Sequence, residues 1–215
     1  MVPRFKRVLP SGVPSWAARA VLAAVATVAV AAAAVAAGLV WGKDGPAREA
    51  APGDTYAAAP GCATVPAEAV ESAVPGAALD ASERGPLHNA DGATCVWTSV
   101  DSGGAAPRAL HVDFTANFTD KAGEVSGTAS AAERIGQLGS VDELDGASPV
   151  PSLGTDATVR EGTPGGGTAE VAFRRHNLVV RVLYGGDKNS DGRAIPYEEA
   201  RDGAVSVAEH LAEGL

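Results

Sequence analysis

The chain has 215 residues, with 17 basic and 26 acidic side chains and a net charge of −9. That length holds one domain of ordinary size plus appendages. The acidic balance argues against a nucleic-acid partner, whose phosphates would repel it.

Residues 1–19 carry Arg4, Lys6, Arg7 and Arg19 and no acid. The stretch 20–42, AVLAAVATVAVAAAAVAAGLVWG, then runs for 23 residues without a charge. As a helix it reaches ~35 Å at ~1.5 Å per residue, enough to cross a hydrocarbon core of ~30 Å. Val21, Leu22, Val25, Val28, Val30, Val35, Leu39 and Val40 would drive insertion, because alanine gains little. Trp16 and Trp41 stand near the two ends, where indoles favour the head-group region. Lys and Arg beside a spanning helix resist translocation, so the basic flank is expected in the cytoplasm, against anionic lipid. The 173 residues after the helix, with 13 basic and 26 acidic side chains, are then expected outside the cell. A cleavable signal peptide is the competing reading, with Ala34-Val35-Ala36 as a cleavage site. A secretory apolar core is usually ~7–15 residues, so the length of this run favours a retained anchor. Both readings export the C-terminal part.

Residues 43–60, KDGPAREAAPGDTYAAAP, scatter Pro and Gly among Ala and charges and read as a flexible tether. The folded domain is expected over 61–215. Residues 64–74 predict a short helix ended by Pro75-Gly76. Residues 77–92 read as a polar loop containing His88 and a turn at Asn89-Ala90-Asp91-Gly92. A strand follows over 93–100, with Cys95 and Trp97 on one face and Val96 and Val100 on the other. The clearest strand places Leu110, Val112, Phe114, Ala116 and Phe118 on one side and His111, Asp113, Thr115 and Asn117 on the other. That alternation predicts a sheet packed on one face and wet on the other.

Residues 128–138 predict a helix with a capping box from Ser130 to Glu133 and a stripe of Ala132, Ile135 and Leu138. The segment 141–154 reads as a loop, and 155–160 as a strand. A hairpin joins 169–174 to 178–184 through His176-Asn177, with Asn177 in the left-handed backbone region. The last helix, over 196–213, has Glu198 and Glu199 in its first turn. Its apolar stripe is Tyr197, Ala200, Ala204, Val207, Ala208 and Leu211. Gly203 is expected to weaken it by ~1 kcal/mol relative to Ala. The order α-β-β-α-β-β-β-α predicts an α+β domain with an antiparallel sheet packed against helices.

Cys62 and Cys95 both fall on the exported side, and an even count there favours one disulfide. No His or second Cys lies two to four residues from either, which argues against a metal site. Cys62 lies twenty residues beyond the apolar run, badly placed for lipidation.

A Cys opening a helix, the Cys95-Val96-Trp97 strand, the Leu153-Gly154 step before Ala157, a hairpin and a C-terminal amphipathic helix recur together in one group of proteins. In these features the chain resembles a family of small actinobacterial extracytoplasmic lipoproteins and membrane-tethered domains of unknown function. It is similar, more loosely, to extracytoplasmic sensor domains of actinobacterial receptor kinases. The resemblance covers 60–215 and implies a sandwich of the PsbP type, without implying an activity. Many relatives are lipidated at a Cys, and here a spanning helix stands in that place.

The sharpest local pattern is DKNSDGRAIPYE over 187–198, which fits the calcium-loop spacing. Asp187, Asn189, Asp191 and Glu198 would supply side-chain oxygens, with Gly192 at the bend. A strand precedes the loop instead of a helix, Ala194 replaces an aliphatic side chain, and Pro196 sits inside it. The plainer reading is an acidic turn ahead of a helix. His88, His111, His176 and His210 are widely separated and none is paired at ligand spacing. The Thr163–168 run, TPGGGT, does not join a strand to a helix and reads as a connection. Arg174, Arg175 and Arg181 gather at the hairpin, where they would meet an acidic partner or simply water. Asn117-Phe118-Thr119 matches a glycosylation sequon.

No motif for nucleophilic, phosphate-binding or redox chemistry is present in the sequence. No catalytic residue and no cofactor is therefore assigned, calcium aside. The expected role is non-catalytic: binding an envelope protein or small ligand, or sensing, beside the membrane. The alternatives are an enzyme built from scattered Asp, Glu and His, and a carrier of a small apolar ligand. The carrier predicts an unfilled cavity lined by Phe114, Phe118 and Leu211.

Overall fold

In the computed structural model the described residues are 46–99, 107–138, 146–162, 167–186 and 195–215. The stretch 20–42, expected as an anchor, lies outside them, as do residues 1–19. Among the described residues no helix is long and apolar enough to cross a membrane.

Alternation along Arg108–Asn117 makes that segment an inner strand, with Leu110, Val112, Phe114 and Ala116 all buried on one face. In chain order the strands are β1 (Ala78–Leu87), β2 (Ala90–Thr98), β3 (Arg108–Asn117), β4 (Ser148–Pro149), β5 (Thr158–Glu161), β6 (Thr168–Arg175) and β7 (Leu178–Gly186). They form one antiparallel seven-stranded sheet in the order β1-β2-β3-β7-β6-β5-β4. The helices are α1 (Ala67–Ala73), α2 (Gly127–Gln137) and α3 (Tyr197–Glu213). The fold is α+β with an antiparallel sheet, as the patterning predicts.

Helix α3 buries Ala200, Ala204, Val207, Ala208 and Leu211, and it packs on β6, β7 and α1. The opposite face of the sheet is not simply wet. Helix α2 packs there on β3, β6 and β7, with Ala131 and Ile135 set against Ala172 and Val179. Burying a side chain such as Ile135 contributes ~1.5–3 kcal/mol, which explains why this end of the face is covered. The part built by β1, β2 and β3 carries partly exposed polar groups such as Thr94, His111 and Asp113, with exposed Glu83 and Leu87 at its edge.

Helix α2 is capped by Ser126, whose Oγ accepts from Ala129 N at 3.1 Å, and not by Ser130. The stripe is correspondingly Ala131, Ile135 and Leu138, while Ala132 is exposed. The helix begins early because Gly127 fits against the Asn117 carbonyl and Asp54, where a Cβ would overlap both.

The segment expected as a polar loop contains β1. Nearly all its side chains are exposed, so no apolar alternation marks it, and its backbone ladder with β2 holds it in place. It is an edge strand, which accounts for Pro86, for the bulge between Leu79 and Ala81, and for its charges. The turn into β2 lies at His88-Asn89, with Asn89 at φ 50°, and not at Asn89–Gly92. In the β6–β7 hairpin it is His176 that takes positive φ, 52°; Asn177 is fully buried instead.

The folded unit begins at Pro46 and not at 61. Residues 46–60, expected as a tether, lie along one end of the sheet. Ala47 and Ala59 are buried, and Tyr56 packs against the core. Backbone donors of this arm reach three side chains of the domain: Ala47 N to Asn89, Tyr56 N to Asn177 and Ala59 N to Asp91. Asp54 in turn accepts from the backbone N and hydroxyl of Thr119. Composition alone could not show this, because every partner is remote in sequence.

Gly203 is likewise not a defect in α3. A Cβ there would overlap the Tyr184 ring, 2.7 Å from Cδ1. Tyr184, 1 % exposed, lies across the helix at that point and donates from its hydroxyl to Ala73 O at 2.7 Å.

Candidate functional site

On the open half of the second face, neighbouring strands bring one residue each into rows. Glu83, Thr94, Asp113 and Arg181 stand opposite one another across β1, β2, β3 and β7. The next row holds Gly85, Gly92, Thr115 and Val179. Of the two glycines facing each other, Gly85 leaves its part of the floor open, while the Leu87 side chain lies over Gly92. Helix α2 rises on one side with Arg134 and Leu138, and β1 closes the other with Leu87. The result is a groove of about 430 Å³, within the size range of small-molecule sites, ~300–1,000 Å³.

Most charges around this groove neutralise one another. Thr94 Oγ1 donates to Asp113 Oδ1 at 2.7 Å, and His111 Nε2 lies 3.2 Å from the same oxygen. The Asp113 carboxylate beside His111 holds the imidazole above its ordinary 6.5 and outweighs the effect of burial. Burial by itself would raise Asp113, but hydrogen bonds from His111 and Thr94 bring its carboxyl below 3.8. Glu170, 6 % exposed, accepts from Arg181 Nε at 2.7 Å and from Arg160 at 2.8 Å. Arg84 pairs with Asp91 at 3.4 Å and donates to Ala59 O.

A second hollow, about 400 Å³, lies between α1 and α3. Arg108 there donates to the Tyr184 hydroxyl at 3.0 Å and to Glu199 at 2.6 Å. These bonds tie α3 to β3 and β7 and read as a joint of the fold.

Cys62 and Cys95 form the disulfide, with an S–S distance of 2.06 Å and Cα atoms 5.5 Å apart. It fastens the turn Cys62–Thr64, just ahead of α1, to β2 beside buried Trp97. Of the calcium-loop candidates, Asp187, Asn189 and Asp191 lie outside the described residues. Glu198 is exposed in the first turn of α3 and pairs with Arg201 at 3.2 Å. Among the described residues no group of three or more His, Cys, Asp or Glu side chains could hold a metal ion.

Each arginine at the hairpin has its own partner within the domain. Arg174 pairs with Asp156 at 2.8 Å, Arg175 donates to Leu153 O and lies over Phe173, and Arg181 binds Glu170. Asn117, in the sequon, is 2 % exposed and bonded at both ends of its amide, so it offers no acceptor for a glycan. Phe114, Phe118 and Leu211 are packed in the core, at 1 %, 2 % and 0 % exposure. His88 and His176 occupy turns, and His210 is bonded to Ser206 O.

Glu83, Gly85, Leu87 and Arg134 of the groove carried no signal in the sequence, because β1 has no apolar periodicity and the partner of Arg134, Asn117, lies 17 positions away. No family model, curated protein or solved structure matches this chain.

Proposed function

We propose that the chain is a single-pass membrane protein with its amino terminus in the cytoplasm. Its folded unit works outside the cell as a non-catalytic binding module, with its ligand in the groove between β1 and α2. The uncharged stretch 20–42 and its basic flank support the topology. The disulfide supports an oxidising compartment, where such bonds persist. The resemblance to actinobacterial envelope and sensor domains, with its PsbP-type sandwich, belongs to the same proposal.

The observation that carries the binding role is the groove itself: concave, floored by Gly85 and Gly92, with apolar edges at Leu87 and Leu138. The test uses the full chain in phosphatidylcholine nanodiscs, with methyl groups labelled for NMR and a chemically diverse fragment set. Shifts gathering on Leu87, Leu138 and Val179 support the reading. Shifts confined to the Arg108 hollow, or none in the groove, overturn it.

A second reading, an enzyme using the His111–Asp113 pair for proton transfer, draws on the position of that pair beside the groove. It predicts turnover that disappears in His111→Ala while groove binding persists.

A further inference from the structure

Five ionisable residues line the groove, Glu83, Arg84, Asp113, Arg134 and Arg181, of which Arg84 turns its side chain to the opposite face of β1, onto Asp91 and Ala59 O. Three of them have opposite charges of the protein as neighbours: Arg84 has Asp91, Arg181 has Glu170, and Asp113 has His111. Two do not. Arg134 uses Nε on the neutral Asn117 amide at 3.1 Å and meets no carboxylate among the described residues. Glu83, exposed on β1, has neither a hydrogen bond nor an ion pair among the described residues. These two are of opposite sign and stand on opposite walls, Arg134 on α2 and Glu83 on β1, with the glycine floor and Thr94 and Thr115 between them.

Resting on the binding role given above, we propose that the groove takes a small zwitterion, its carboxylate on Arg134 and its ammonium on Glu83. A guanidinium matches a carboxylate with two parallel N–H donors, and a carboxylate accepts from an ammonium. The span between the two charges of the ligand crosses the floor at Gly85, which leaves room for methylenes beside the Leu87 side chain that lies over Gly92. A ligand with only one charge would leave one wall uncompensated. It would therefore bind more weakly by the loss of one charge-assisted contact.

The experiment titrates the full chain in phosphatidylcholine nanodiscs with 6-aminohexanoate, hexanoate and hexylamine, following the Leu87, Leu138 and Val179 methyl signals. 4-Aminobutanoate and 8-aminooctanoate bracket the spacing. The expected result is that one of the three amino acids binds at least about tenfold tighter than hexanoate and hexylamine. Arg134→Gln should remove its advantage over hexylamine, and Glu83→Gln its advantage over hexanoate, while Arg48→Gln changes neither. Both substitutions are on exposed side chains, and an unchanged methyl spectrum without ligand verifies the fold of each variant. Equal affinity for hexanoate, hexylamine and the amino acids overturns the zwitterion while leaving the groove as a binding site. If none of the five probes binds, but fragments of other chemistry still move the groove signals, the zwitterion alone fails. If the fragments also leave the groove untouched, the binding role fails with it.

Discussion

Asn177 and Tyr56, 121 positions apart, exchange a reciprocal pair of hydrogen bonds. Tyr56 N donates to Asn177 Oδ1 at 2.9 Å, and Asn177 Nδ2 donates to Tyr56 O at 2.9 Å. The same Asn177 amide also donates to Asn117 O at 2.8 Å, so one buried side chain joins the arm, the hairpin turn and the end of β3. Asn177→Ala leaves these backbone groups without partners and should lower stability by ~2–4 kcal/mol. Urea unfolding of residues 46–215 measures this. A chain starting at 61 should unfold at lower urea than one starting at 46; equal midpoints would restore the flexible tether.

The contact between Gly203 and Tyr184 reverses an ordinary rule. In an exposed helix Gly→Ala stabilises by ~1 kcal/mol. Here the new methyl would enter the Tyr184 ring, which is held by its bond to Ala73 O. Gly203→Ala is expected to destabilise by ~1–3 kcal/mol, as overpacking does. A rise in melting temperature would refute the close approach.

The Cys62–Cys95 bond spans 33 positions and anchors the segment leading into α1. By the chain-entropy estimate its loss should cost ~3–4 kcal/mol. Comparing the native chain with the Cys62→Ser, Cys95→Ser variant in urea gives the value directly. A difference under ~1 kcal/mol would show that β1 and β2 hold this corner by themselves.

His111 should titrate above 6.5 because Asp113 favours its charged form. A raised folded value means that this contribution is complete below 6.5 and lost as pH rises through the folded midpoint. Asp113 acts in the opposite sense: its contribution is present above 3.8 and is lost as pH falls through its depressed value. Following the His111 ring by NMR, Asp113→Asn should bring the midpoint down. An unmoved midpoint would mean that the pair does not exist in solution.

Legibility in the sequence followed which side chains reach the core. β3 and α3 announce themselves because each carries its whole buried face in one periodic run, ending in residues such as Phe114 and Leu211. β1 carries none, since an edge strand with exposed side chains is specified by the ladder of its neighbour. Helix α2 was visible, but its phase was not: the fit of Gly127 against Asn117 and Asp54 decided whether Ala131 or Ala132 turns inward. The groove was invisible for a related reason. Its residues come from four strands and a helix, and only sheet register aligns Glu83 with Thr94, Asp113 and Arg181.

From its residues alone, this chain determined its fold class, its buried strand faces and the pairing of its two cysteines, because periodicity and cysteine count are local properties that any fold of it must satisfy. Tertiary structure decided where the domain begins, which end of the second sheet face is covered, and which charges are left without partners. Those outcomes depend on contacts such as Tyr56 with Asn177 and Gly203 with Tyr184. The free energy of each exists only after distant segments have met.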